Sequence, residues 1–371
     1  MAETSDPMPG KRLVSLDALR GFTIAAMVIV NDPGSWNYVY APLRHAQWNG
    51  CTVTDLIFPF FLFIVGVSVA FAYTKRLQAN VPLGKIHRKI VIRAIIIYLL
   101  GLFLWLWPDF DFSAIRWTGV LQRISVVFLV CALLFLHTGW KQQIWTGAAM
   151  LLAYWIIVAY VPVPGIGRPD LSVPEKNWAN YLDTLLLPGV LWQKTWDPEG
   201  ILSTFPAIVS GITGMLIGKL YLGVRDEYRR LAFIFFAGFS MFVIGGIWNW
   251  FFPINKNLWT SSYVLYTSGA AAMALAACML IVDIWNYSRW TFLGRVYGAN
   301  AIASYVLAGM LTLVFYGIRI GGASLNEWFM NGFTQLGLDP RFVSLLYALI
   351  YMLIIFLPAL YLYRKKIFIK V

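Results

Sequence analysis

Apolar residues run along this chain in long unbroken stretches. They do not alternate with polar residues, and they are not confined to one face of a helical repeat. A helix needs about 20 residues to cross the hydrocarbon core of a bilayer. Ten stretches reach or approach that length: 15–30, 54–73, 88–107, 117–137, 144–160, 201–220, 231–251, 260–283, 299–318 and 342–363. Strands of a membrane barrel would show a period of two, which is missing. The pattern predicts an all-α polytopic membrane protein of about ten transmembrane helices.

Composition narrows the class further. Hydrophobic residues make up 60% of the 371 residues and charged ones 12%. Soluble domains hold roughly 25% charged residues, so an ordinary soluble enzyme and a disordered chain are both excluded. The formal net charge of +12 would point to nucleic acid in a soluble protein. In a membrane protein the question is which connectors carry it. Twenty of the 29 basic residues fall on one side, including Arg20, Lys75, Arg76, Lys89, Arg93, Arg225, Arg289, Arg295 and Arg364. The positive-inside rule then predicts both termini in the cytoplasm, as an even number of spans requires. The charge reads as a topology signal, and no nucleic-acid partner is expected.

The first apolar stretch holds Asp17 and Arg20 and is followed by no small-residue cleavage site, so it reads as a retained helix. Residues 1–12 are expected to form a cytoplasmic tail and 13–371 a single membrane domain. Cys51, Cys131 and Cys278 are too few and too scattered for a disulfide framework or a zinc site, and three histidines build no metal centre. No metal is expected.

The outward connectors, 31–53, 108–116, 161–200, 252–259 and 319–341, are rich in Trp, Asn, Asp, Pro and Gly. Connecting segments carry function more often than spans, so chemistry is expected on the outer face. His45 is the only histidine there. An imidazole can take a proton and return it within one turnover, or attack an activated acyl group. Asn31, Asn49 and Asp55 offer hydrogen-bond partners, and Trp48 offers a face for a sugar ring. A histidine that merely orders its loop is the competing reading. Asp197 and Glu199 precede the sixth span, where they act as N-terminal capping charges or face a substrate. Lys256 and Asn257 open the eighth span on the same side.

At the inner side Asp17 and Arg20 are three apart and share a helix face. They form a structural ion pair, or Arg20 meets a phosphate from the cytoplasm. Gln122 and Arg123 are expected about two turns inside the fourth span. An arginine at that depth is costly and usually faces a cavity or a partner. Pro59 can kink the second span and shape a cavity wall. The phosphate-loop, dinucleotide, GxSxG and HExxH motifs are absent.

Together these stretches make the chain resemble the heparan-α-glucosaminide N-acetyltransferase family of membrane acyltransferases. The matching stretches are SLDALRG at 15–21, VN at 30–31, HAQWNG at 45–50 with Asp55, and FP at 58–59. They continue with GVLQR at 119–123, DPEGIL at 197–202, NKNLW at 255–259 and YRKKIF at 363–368. They occur in order from about residue 13 to the end. The resemblance implies a helical membrane fold that takes acetyl-CoA from the cytoplasm and acetylates the free amine of a terminal glucosamine on the far side. It puts His45 on the family's catalytic histidine, Asn31 on its supporting asparagine, and implies a homodimer.

Under that resemblance the charged nucleotide of acetyl-CoA stays near the basic inner mouth, with Arg20, Arg93, Arg289 and Arg295 as candidates. The uncharged pantetheine arm runs through the bundle toward His45, with Gln122, Arg123 and Asn300 among the candidate groups for the donor. Trp48, Asn49, Asp197, Glu199, Lys256 and Asn257 are candidates for the acceptor.

There are departures. The animal members' second histidine, early in the penultimate span, is Ala308 here. Their large lumenal N-terminal region has no counterpart, the 161–199 connector is shorter, and Cys51 stands where they have leucine. Heparan sulfate is therefore not the expected acceptor. A compact chain looks bacterial, with a glucosamine-containing sugar or cell-wall fragment in the periplasm as the acceptor and the inner membrane as the location. Two other readings stay open on the residues alone: a sugar or muropeptide transporter without chemistry, and a glycan O-acyltransferase using the same histidine.

Overall fold

The structure is a computed structural model that describes residues 13–369; the expected N-terminal tail lies outside the described residues. The chain folds as α1 (Val14–Asn31), α2 (Val53–Gln78), α3 (Leu83–Leu106), α4 (Val120–His137), α5 (Trp140–Tyr160), α6 (Trp178–Leu186), α7 (Ile201–Gly223), α8 (Glu227–Trp248), α9 (Ser261–Cys278), α10 (Phe292–Ala299), α11 (Ala301–Thr312), α12 (Leu325–Gln335) and α13 (Pro340–Arg364). Among the described residues nine helices are long and apolar enough to cross a membrane. The segments Arg289–Ala299 and Ala301–Gly317 make a tenth if counted as one span bent by 75°. The all-α membrane architecture is as the apolar pattern predicts. Isoleucines, leucines and phenylalanines such as Ile95, Leu99, Ile156 and Phe236 stand exposed on α3, α5 and α8. In water that surface would be costly; against lipid it is not.

Neighbouring helices pack at close range. A side-chain carbon added at Gly66 of α2 would lie 1.9 Å from the Gly211 carbonyl of α7, and one at Gly214 would lie 1.9 Å from the Phe63 carbonyl. Small residues let membrane helices approach where no hydrophobic force drives them together. Gly21 on α1 meets Gly294 and Gly298 on α10 in the same way.

Four local features differ from the sequence expectation. The ninth span is broken at Asn300, whose amide donates to the Ile367 carbonyl (3.0 Å) and accepts from the Ile369 amide (2.8 Å). The outward connectors hold two short helices, α6 and α12, and a two-residue hairpin pairs Arg319–Ile320 with Ala323–Ser324. Helix α4 starts only at Val120, because Gly119 holds a φ of 146° that side chains other than hydrogen rarely adopt. Arg123 therefore lies in the first turn of α4 rather than two turns inside.

Successive long helices run in opposite directions. The start of α1, the end of α2 and the start of α3 share one end, which carries Arg20, Arg76, Lys89 and Arg93. The end of α1 and the starts of α2 and α4 share the other, which carries Asn31, Asp55 and Gln122. The first is the basic end and the second the histidine end.

Candidate active site

The site at the histidine end is built on the first turn of α2. Thr52 precedes the helix, and Asp55 turns back to accept from the Thr52 amide (3.0 Å) and hydroxyl (3.0 Å). This reciprocal capping satisfies orphan groups at the helix start. The same Asp55 oxygen accepts from the Ala46 amide (3.0 Å), which ties the 45–50 loop to the helix. The other Asp55 oxygen is left for His45 Nδ1 at 2.7 Å. Asp55 is 1% exposed and the His45 side chain 41%. A buried carboxylate behind a half-open imidazole favours the proton on Nδ1 and leaves Nε2 as the acceptor, with Lys256 beside it, the arrangement of an oriented general base.

Lys256 completes the cluster. Its Nζ stands 3.1 Å from His45 Nδ1, 3.3 Å from Nε2 and 3.8 Å from Asp55 Oδ1. Burial pushes its ammonium below the ordinary lysine range, while Asp55 and Glu199 pull it back. The neighbouring asparagine sets its position: Asn255 donates to Asn49 (3.0 Å) and accepts from the Leu258 amide (2.9 Å), and the Gly50 amide donates to Ile254 (2.7 Å). Tyr263 donates to the Asp55 carbonyl from below. Burial and the nearby Asp55 push the Cys51 thiol up to about 12, against the pull of Lys256, which disfavours the thiolate a nucleophile needs.

His45 and Lys256 open on a cavity of about 880 Å³, lined also by Asn31, Asp32, Trp36, Gln47, Gln122, Trp192, Trp196, Glu199, Asn257, Tyr305, Ala308 and Thr312. One wall is held by Arg116, which grips Asp197 through two bonds (2.7 and 2.6 Å) and Glu199 through a third (2.6 Å). Its guanidinium also lies 5.0 Å from the Trp192 ring and 5.8 Å from Trp105. Burial alone would raise the Asp197 carboxyl, but the Arg116 bonds hold it below the usual range.

A second cavity of about 590 Å³ opens at the basic end. It is lined by Arg20, Ser68, Tyr73, Arg76, Lys89, Arg93, Ile97, Ile124, Phe128, Ala301 and Ile302, among others. Arg20 pairs with Asp17 (3.2 Å) and donates to Ser68 (2.7 Å). Four cations above an apolar throat suit a polyanionic head with an uncharged tail. The two cavities lie end to end along the same helices. On α3 the lining passes from Ile97 to Gly101, on α4 from Ile124 to Gln122, and on α11 from Ile302 to Tyr305. About one helical turn separates them.

The candidate residues read from the sequence divide accordingly. His45, Asn31, Glu199, Lys256, Asn257 and Gln122 line the histidine-end cavity, and Asp55 stands behind it. Arg20 and Arg93 line the basic cavity. Trp48 donates its indole N–H to the Leu171 carbonyl (2.7 Å) and meets Trp196 edge to face, so it supports the wall through Trp196. Asn49 supports the Lys256 loop, and Asp197 is occupied by Arg116.

Arg123 is 2% exposed and lines neither cavity. It bonds Ser203 and the Gly200 carbonyl (3.3 Å) and lies 4.9 Å from the Trp259 ring. Arg295 and Asn300 are also outside both linings. Arg76 and Lys89, which the sequence pattern marks only as topology charges, and Arg116, Asp32 and Tyr305 were not among those candidates. The signal for Arg116 was an arginine one turn before an apolar span, opposite an Asp-Pro-Glu.

Residues 12–230 match the family model described as heparan-alpha-glucosaminide N-acetyltransferase, catalytic. Two relatives named heparan-alpha-glucosaminide N-acetyltransferase, from Mus musculus and Homo sapiens, are each 30% identical over 354 residues, covering 80% of this chain. The match covers 53% and 52% of those relatives, so the chain spans about half their length. The matched region holds the His45–Asp55 pair, Asp32, Arg116 and all four cations of the basic cavity, and on that match this chain belongs to the heparan-alpha-glucosaminide N-acetyltransferase family.

Proposed function

We propose that this protein is a membrane acetyltransferase that moves acetyl from acetyl-CoA, entering at the basic end, to the amine of a glucosamine-containing sugar at the histidine end. The observation that carries the reading is the pair of cavities set end to end along α1, α3, α4 and α11. One has four cations at its mouth, and the other has His45 held by Asp55. The uneven distribution of basic residues supports a cytoplasmic basic end, with both termini there and the histidine end facing the periplasm of a bacterial inner membrane. Residues 13–371 then act as one catalytic domain, and a homodimer is the expected assembly. A glucosamine-containing cell-envelope fragment is the proposed acceptor.

Charges are costly to bury in the bilayer. Arg20, Arg76, Lys89 and Arg93 would hold the phosphates at the mouth, and only the uncharged arm would pass Ile97, Ile124 and Ile302. At the other end His45 Nε2 takes the proton of the attacking amine while Asp55 stabilises the imidazolium. Lys256 and Asn31 line the same cavity and bring N–H donors for a developing oxyanion. The amine nitrogen bonds to the acetyl carbon, the carbon–sulfur bond breaks, and the thiol leaves. In a two-step variant His45 carries the acetyl between donor and acceptor.

The test is acetyl transfer by the purified protein in detergent. Acetyl-CoA and glucosamine are supplied, and N-acetylglucosamine and free CoA are followed by mass spectrometry beside His45→Ala. Product that depends on His45 supports the reading. Turnover only with hydroxyl acceptors would replace it with O-acetylation, and a folded protein that releases no CoA would reject it.

A further inference from the structure

Asp32 is 6% exposed, yet it lines the same cavity as His45. Its place is fixed by the turn that follows α1. The Gly34 amide donates to the Ser344 carbonyl (3.1 Å), Tyr316 donates to the Pro33 carbonyl (2.9 Å), and Asn326 donates to the Gly34 carbonyl (3.1 Å). A side-chain carbon at Gly34 would meet the Met330 sulfur at 2.8 Å, so the turn seats this deeply only with glycine there. Among the described residues the carboxyl's one side-chain partner is the Thr312 hydroxyl at 3.1 Å, which stands equally near the Ala308 carbonyl (3.1 Å). Among the described residues no cation stands within ion-pair distance of it. Its second oxygen is not among the buried polar atoms that lack a partner, and Ala308, which ends in a methyl group, lines the same cavity.

A buried carboxyl without a counter-charge is costly to ionise. Where such a group lines a cavity it is a candidate to give or take a proton. The wall is also the right one for the donor. Thr312 belongs to α11, and α1 and α11 line both cavities. An arm arriving along them passes Ile302, Tyr305 and Ala308 before it reaches Thr312 and Asp32.

We propose that Asp32 is the second proton-transfer group of the reaction, the general acid that protonates the departing sulfur. This rests on the acetyltransferase reading above. As the amine attacks, its proton passes to His45 Nε2. The carbon–sulfur bond breaks, and the Asp32 proton goes to sulfur, so that a thiol leaves. Imidazolium and carboxylate then remain, and one proton passing from His45 to Asp32 through cavity water restores the start. The sum is amine plus thioester giving amide plus thiol, with no other reactant.

Burial pushes the Asp32 carboxyl up to about 7, and the Thr312 hydroxyl pulls it part of the way back. A thiol ionises near 8.5 in water, so an acid near 7 is well matched to protonate it. The groups facing Asp32 are Tyr305, Thr312 and Tyr316 on the α11 side and Tyr347 and Tyr351 on α13. Across the cavity they are His45, Arg116, Glu199 and Lys256.

The experiment is the pH dependence of steady-state turnover by the full chain in detergent, for wild type, Asp32→Asn, Asp32→Glu and Thr312→Val. An acid must be protonated, so wild-type kcat falls as pH rises through neutrality. Asp32→Asn keeps the bond from Thr312 and should melt no lower than wild type, with KM little changed. Its kcat drops about 10²-fold or more, and that alkaline limb disappears. Asp32→Glu restores part of the turnover. Thr312→Val removes the bond that lowers the carboxyl, so the limb moves to higher pH.

Wild-type kcat and an unchanged limb in Asp32→Asn would overturn the assignment, as would a loss confined to the acceptor's KM. If Asp32→Asn does not fold, an unmoved limb in Thr312→Val overturns it. A wild type without turnover on any amino sugar would instead reject the functional reading. Infrared difference spectra then decide Asp32 by themselves: a protonated-carboxyl band that titrates near neutrality and is missing in Asp32→Asn supports it, and no such band in wild type overturns it.

Discussion

Asp55 shows how much one side chain can organise. One oxygen caps α2 and fixes the 45–50 loop, and the other orients His45. Asp55→Asn keeps the size but can present an N–H to Nδ1, which favours the wrong tautomer. We expect kcat to fall about 10²-fold or more with a smaller loss of stability, measured by turnover and thermal melting on the same preparation; equal losses in both would reduce Asp55 to a capping residue. Lys256→Met removes the ammonium beside Nε2, and its expected effect is on kcat rather than on the KM for acetyl-CoA, because the CoA phosphates are assigned to the far cavity. Arg116 behaves differently. Asp197→Ala leaves its buried charge with Glu199 alone, and breaking a buried pair costs about 3–5 kcal/mol; we expect a lower melting temperature before any specific kinetic defect. The His45–Asp55 relation was legible because a lone outward histidine lies ten residues before a helix-start carboxylate. Asp32 was not, since an Asn-Asp-Pro-Gly run reads as an ordinary turn and only the packing of α11 and α13 over it makes its carboxyl a buried one.

Short helix α6 shows how an element outside the spans sets one inside. Its Asp183 accepts from the Ile201 amide at 2.8 Å and so caps α7 from a separate helix. A side-chain carbon at Gly200 would lie 1.8 Å from the same carboxyl. Burial pushes Asp183 up to about 7, helped by Asp197 and opposed by the bond from Ile201 and by Arg123. The folded protein then binds a proton that the unfolded chain, with an ordinary carboxyl, has lost. Between the unfolded value and about 7 stability therefore falls as pH rises, and it levels off above. Asp183→Asn keeps the acceptor and cannot ionise. We expect it to melt higher than wild type at pH 8 and much closer to it at pH 5; a gap that does not change with pH would mean that Asp183 does not titrate on unfolding. The elements most visible in sequence were the long apolar ones. The break at Asn300 was hidden because both halves remain apolar, and what bends the chain is the buried amide's bonds to residues 367 and 369. Helices α6 and α12 were hidden because 9 and 11 residues fall below the length at which periodicity stands out against a polar connector.

At the scale of the whole molecule the proposed function makes the two cavities a reaction path across the membrane, and the turn of bundle between them is where that can be tested. Ile302 lines the basic cavity and Tyr305 the histidine-end cavity, on one face of α11. Replacing Ile302 by Trp fills the throat without touching His45, Asp55, Lys256 or any of the four cations. If the acetyl group must pass there, turnover with acetyl-CoA should fall by at least tenfold. Transfer from a small acetyl thioester lacking the nucleotide, offered from the histidine end, should survive, because that donor reaches His45 without crossing the partition. In proteoliposomes of known orientation the wild type should use acetyl-CoA only from the basic side and release acetylated sugar on the other. Equal losses with both donors would mean that Ile302→Trp has damaged the site itself. Undiminished use of acetyl-CoA would mean that the donor enters at the histidine end, and the four arginine and lysine side chains would then need another anion.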